Sequence, residues 1–98
     1  MSQEVRVVAH VKAKPGQETA LREALLQALE PVRAEPGCLA YHLHADVRAA
    51  GHFVFVETWA NEAALTQHMG APNLRQLAET ITPLLAEPLA VTVLRQIG

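Results

Sequence analysis

Three residues of this sequence could do chemistry together: Glu57, Trp59 and His68, all within Gly51–Met69, GHFVFVETWANEAALTQHM. An imidazole titrates near neutrality, so His68 could take the proton of a phenol or hydroquinone hydroxyl. Trp59 offers a flat apolar wall and one N–H donor, suited to an aromatic ligand. Glu57 lies two residues before Trp59, on the same face of a strand, where it could orient His68 or hold an arginine. Each has a plainer reading. His68 could bond a backbone carbonyl in a cleft, Trp59 could be the largest core side chain, and Glu57 could pair with an arginine or a backbone amide where two copies meet, since a buried carboxylate needs a partner.

Those residues need a strand and a helix to position them. Alternation over 52–59 puts Phe53, Phe55, Glu57 and Trp59 on one face and His52, Val54, Val56 and Thr58 on the other. Asn61 is a good N-cap for the helix expected over 61–69. Leu65, His68 and Met69 share a face of that helix by their i, i+3, i+4 spacing. A helix following a strand this closely must fold back over the sheet. Phe53 and Phe55 then become candidate pocket walls, Tyr41 on the neighbouring strand a hydrogen-bond partner for a ligand oxygen, and Asn73 a polar group at the mouth.

The other elements follow the same patterns. Residues 4–13, EVRVVAHVKA, suit a strand with Val5, Val7, Ala9 and Val11 on one face. Leu21, Ala24, Leu25, Ala28, Leu29 and Val32 recur at helical spacing, and Pro31 should kink or end that helix. Residues 38–46 read as a second strand with Leu39, Tyr41 and Leu43 facing one way, and Glu35-Pro36-Gly37 before it reads as a turn. Arg48–Gly51 closes a hairpin. Pro72 suits the first position of another helix, with Leu74, Leu77, Ala78 and Ile81 inside. Residues 88–97 make the last strand.

The order β-α-β-β-α-α-β within residues 1–98 predicts one α+β domain. Its plan is the ferredoxin-like split βαβ, a four-stranded antiparallel sheet with helices on one face. The bare sheet face keeps valines, so a second copy is expected to cover it, giving a homodimer in the form of an α+β barrel.

Composition narrows the function. The net charge is −2, and the eight Lys and Arg form no basic stripe, which argues against nucleic acid. The single cysteine, Cys38, excludes an internal disulfide framework and fits a reducing compartment. The N-terminal MSQEVRVV lacks a charged-then-apolar signal pattern, and no apolar run nears the ~20 residues that span a bilayer. The expectation is a cytoplasmic protein that engages neither membrane nor nucleic acid. His42 and His44 share a strand face, with His10 and His52 on the same side of the sheet, but no third ligand has a diagnostic spacing, so no metal is expected. Phosphate-binding glycine loops and a nucleophile elbow are absent as well.

The runs VVAHVKAKPGQE, EPGCLAYHLHAD and FVFVETWANEAALTQHM, followed by APNLRQL, resemble the antibiotic biosynthesis monooxygenase family in its quinol-monooxygenase-like branch. The E-x-W followed by a short helix ending in His is the specific part. That resemblance implies a dimeric α+β barrel with a pocket between sheet and helices. It also implies oxidation of quinols or polycyclic phenols by dioxygen without flavin, haem or metal, at a site containing Glu57, Trp59, His68 and Tyr41. Asn73 stands where many members have a histidine, and Phe53 and Phe55 occupy the face where polyketide-oxidising members place an Asn. Ala78 stands where haem-degrading relatives place an axial His. The leading expectation is a cofactor-independent monooxygenase taking a small aromatic substrate and dioxygen. Its rivals are a non-catalytic dimeric ligand-binding or stress-response module and an isomerase on a small oxygenated substrate.

Overall fold

A computed structural model describes residues 3–98. Strands β1 (Val5–Lys12), β2 (Cys38–Ala45), β3 (His52–Trp59) and β4 (Ala90–Leu94) form one sheet in the order β2-β3-β1-β4. Every neighbouring pair is antiparallel. Helices α1 (Glu18–Gln27), α2 (Leu29–Arg33), α3 (Glu62–Met69) and α4 (Pro72–Ile81) complete the ferredoxin-like α+β fold. A 3-10 turn, Thr82–Leu84, follows α4.

Period-2 alternation sets the layers. On β1, Val5, Val7, Ala9 and Val11 are buried; on β3, Phe53, Phe55, Glu57 and Trp59 are. Tyr41 from β2, Leu21, Leu25 and Val32 from α1 and α2, Ala64 and Leu65 from α3, and Leu77 and Ile81 from α4 complete the core. Burial of the Val, Leu, Ile and Phe side chains among these, each contributing roughly 1.5–3 kcal/mol, is the main force holding helices to sheet.

Pro31 interrupts the first helix as expected, and three other local readings differ from the structure. The first helix breaks at Ala28, because the ring of Pro31 excludes the carbonyl four residues before it, and α1 ends on that residue, Gln27. Leu39 does not face inward with Tyr41. Cys38 pairs with Trp59 and Ala40 with Thr58, so Leu39 is the extra residue of a bulge and lies exposed. The last strand is shorter than 88–97, and all five of its residues are exposed. Ala78 shares its side of α4 with Leu74, Leu77 and Ile81, but that side faces an open groove at Ala78, which is exposed.

On the opposite sheet face, His10 Nδ1 lies 3.0 Å from His52 Nε2, and His52 Nδ1 lies 3.1 Å from Asp46 Oδ2. Among the described residues no group of three His, Cys, Asp or Glu is arranged to hold a metal. Among them, too, no helix is long and apolar enough to cross a membrane.

Candidate functional site

The floor of the site is two rows of side chains across the sheet. One row runs Tyr41, Glu57, Val7; the next runs Leu43, Phe55, Ala9, Val91. Tyr41 stacks on Phe55 with ring centroids 4.8 Å apart. The roof is α3, started by Asn61, whose side chain accepts from Ala64 N at 2.8 Å. Ala64 and His68 follow on one helical face, both buried.

The approach of α3 depends on Gly37 in the turn before β2. Gly37 has φ +81°, and a Cβ there would collide with Ala64 Cβ. Its carbonyl also accepts from Ala60 N at 2.8 Å. Only glycine combines that backbone with that closeness. The same turn delivers Glu35, whose Oε1 lies 3.0 Å from His68 Nδ1. Glu35 thus joins the site, although its place in the sequence marks it only as part of a turn. Its only signal was an acidic side chain beside Pro-Gly with no helix face or strand face to occupy.

His68 is 3% exposed and lies against the indole of Trp59. It bonds a carboxylate, not a backbone carbonyl. An ionised carboxylate only accepts, so the proton of the neutral ring sits on Nδ1. Nε2 has no partner among the described residues and is the nitrogen left for the cavity that His68 lines. Glu57 does not hold His68, an arginine or a backbone amide: it accepts from Trp59 Nε1 at 2.8 Å. Burial pushes the Glu57 carboxyl up from its ordinary value, the Trp59 bond and His68 oppose this, and Glu35 adds to it. Burial, with Glu57 and Glu35 nearby, also drives the Tyr41 hydroxyl far above the usual phenol range, so it remains a donor. The Cys38 thiol is raised by burial and both glutamates, against Arg33, and stays a thiol rather than a nucleophile.

Tyr41, Glu57 and His68 converge on a cavity of about 40 Å³ whose other walls are Val7, Ala9, Phe55, Met69, Leu74, Leu89 and Val91. That space is large enough to hold a water molecule. Phe53 and Asn73 are not among its lining residues. Phe53 is buried further along β3, opposite Val11 and Ala45. Asn73 Nδ2 donates to Glu35 Oε2 at 3.1 Å. Trp59 is fully buried behind His68, outside the cavity. Leu74 and Leu89 also belong to a larger apolar groove of about 540 Å³ between α4 and the segment leading into β4.

Residues 4–80 match the family described as antibiotic biosynthesis monooxygenase. The chain belongs to the antibiotic biosynthesis monooxygenase family. Among its relatives, the "Putative monooxygenase Rv0793" of Mycobacterium tuberculosis is 35% identical over 94 residues, 96% of this chain and 92% of that protein. The structure of Rv0793 matches with a TM-score of 0.90, covering 97% of this chain and 96% of that one. The crystal structure of PA3566 from Pseudomonas aeruginosa matches at 0.91 with 31% identity, covering 100% and 98%. An uncharacterized protein of Synechocystis, sll1783, is 32% identical over 89% of this chain, which spans 59% of that protein's length. Membership gives the Tyr41–Glu57–His68 cavity a chemical context, since it lies between sheet and helices of an antibiotic biosynthesis monooxygenase fold.

Proposed function

We propose that this protein is a cofactor-independent monooxygenase that oxidises a quinol or polycyclic phenol with dioxygen. The observation that carries the reading is the convergence of His68, Tyr41 and Glu57 on an otherwise apolar cavity in a member of this family. His68 Nε2 takes the hydroxyl proton, which makes the electron-rich ring a better electron donor. One electron passes to dioxygen, the two radicals join at a ring carbon, and the O–O bond breaks. One oxygen atom stays on the ring, and the other leaves as water with the hydroxyl proton and the displaced ring hydrogen. Tyr41 donates to the oxygen that gains charge, and apolar walls exclude bulk water. The aromatic body lies in the larger groove, whose volume is in the usual ligand range, and Leu74 and Leu89 yield to admit its reacting edge.

A second copy of the chain belongs to this reading. Val56 and Leu94 on the face away from the helices are exposed, as are Val91 and Val93 on the helix side of β4, which suits a homodimer. Sedimentation of the protein at micromolar concentration reads the mass directly.

The test is oxygen uptake by metal-free protein with a panel of quinols and phenols. Turnover is expected, and His68→Ala should lower it roughly 10²–10⁴-fold. Absence of turnover with every substrate would support the second reading, a non-catalytic module for a small ligand. The small size of the cavity beside His68 is what favours that alternative.

A further inference from the structure

Asn73 lies behind Glu35, away from the cavity, and its amide has two partners. Nδ2 donates to the Pro31 carbonyl at 3.3 Å and to Glu35 Oε2 at 3.1 Å. The Pro31 carbonyl is open to a side chain because of how α2 ends: Glu35 N donates to Val32 O instead of to the carbonyl four residues back. A backbone carbonyl has no donor form, so it dictates which end of the Asn73 amide faces it. Turning the amide would set oxygen against oxygen. With the NH2 group fixed there, Oε2 of Glu35 is the acceptor for Asn73, and Oε1 is left for His68 Nδ1.

We propose that the Pro31 carbonyl and Asn73 form a polarity lock that holds the Glu35 carboxylate, itself the acceptor for Nδ1–H, on His68 and so keeps Nε2 the basic nitrogen. Asn73 and Glu35 are positioning residues, since neither lines the cavity. The order of donors runs from α3 to the turn, and from α4 to both the turn and α2. Each link permits one direction: His68 Nδ1–H to Glu35, Asn73 N–H to Glu35, Asn73 N–H to Pro31. This deepens the proposed function and rests on His68 being its base.

The lock makes an outcome that mere packing would not. In Glu35→Gln the shape is kept, but the new amide must give its oxygen to Asn73 and its NH2 to His68 Nδ1. Nδ1 then accepts, the ring proton moves to Nε2, and the lone pair turns away from the cavity. Adding Asn73→Ala removes the donor that orients the new amide, so the amide is free to reverse and the Nδ1–H form returns in part.

The experiment is 15N NMR of imidazole-labelled protein without substrate, at about pH 9, well above the ordinary imidazole value near 6.5. Expected is a bare Nε2 in the wild type, a bare Nδ1 in Glu35→Gln, and a mixture of the two in Glu35→Gln/Asn73→Ala. Retention of the wild-type tautomer in folded Glu35→Gln, or a double variant whose Nδ1 is as fully bare as in the single one, would overturn the lock. If Glu35→Gln does not fold by circular dichroism, folding of the double variant with Nε2 at least partly bare supports the proposal, and any other result for it counts against. Quinol turnover should track the tautomer, falling in the single variant with kcat more affected than KM and recovering in part in the double. The predicted tautomers with no turnover in any protein would sink the monooxygenase reading and leave the lock standing.

Discussion

The imidazole of His68 lies nearly parallel to the indole of Trp59, with ring centroids 4.4 Å apart and planes inclined by 26°. One side of the His68 ring is therefore an aromatic wall. The ring edge is held by Glu35 at Nδ1, and Tyr41 meets it edge-on with centroids 5.9 Å apart. Three contacts in three directions leave the imidazole one orientation, which is what a positioned base requires.

Trp59→Phe should cost about 2–4 kcal/mol, from a core cavity and from the lost Nε1 bond that leaves the buried Glu57 oxygen unpaired. Urea unfolding measures it. A cost below about 1 kcal/mol would mean that the stack and the hydrogen bond contribute little to stability.

Glu57 makes stability depend on pH. Its folded value is raised, chiefly by burial, so the folded chain holds this proton more tightly than the unfolded chain. The stabilising contribution of the protonated form is full below the unfolded value and is lost as pH rises through the folded one. Glu57→Gln keeps a carbonyl for Trp59 Nε1 and never ionises. Its melting temperature should gain on the wild type as pH goes from about 4 to about 8. A difference that is constant or shrinks over that range would contradict the assignment.

Two glycines separate backbone strain from close approach. Gly16 (φ +85°) has open space around its missing Cβ, whereas a Cβ at Gly37 would strike Ala64. Gly16→Ala should cost about 1 kcal/mol, for the left-handed backbone alone. Gly37→Ala should exceed it by roughly 1–3 kcal/mol, for overpacking. It should also disturb the His68 signals in NMR, because α3 must retreat from the turn carrying Glu35. Equal costs would show that the packing at Gly37 can yield.

Leu74 and Leu89 stand between the small cavity and the larger groove. Leu74→Ala and Leu89→Ala should lower KM for two-ring and three-ring phenols by roughly threefold to tenfold, with little change for single-ring quinols. Leu89 is 40% exposed, so its truncation should cost no more than about 1 kcal/mol in stability. A rise in KM for the larger substrates would make these side chains contacts rather than barriers.

The sequence by itself determined the layers of this protein. Strand alternation in VRVVAHVK and HFVFVETW placed Glu57 and Trp59 inside, and helical spacing placed His68 over them, because periods of 2 and 3.6 translate directly into faces. The Asn61 cap and Pro72 at the start of α4 were legible for the same local reason. Tertiary structure alone decided which carboxylate serves His68. Glu35 and His68 are 33 positions apart, and no periodicity relates a turn to a helix. Their meeting depends on the missing Cβ of Gly37, a closeness in space that sequence spacing does not encode. The same holds for Leu39, turned outward by a bulge that appears only when β2 is paired with β3. It holds for Asn73, whose place was settled by a carbonyl freed at the end of α2. Local pattern fixes which way a side chain faces; what it meets there is set by the packing of distant segments.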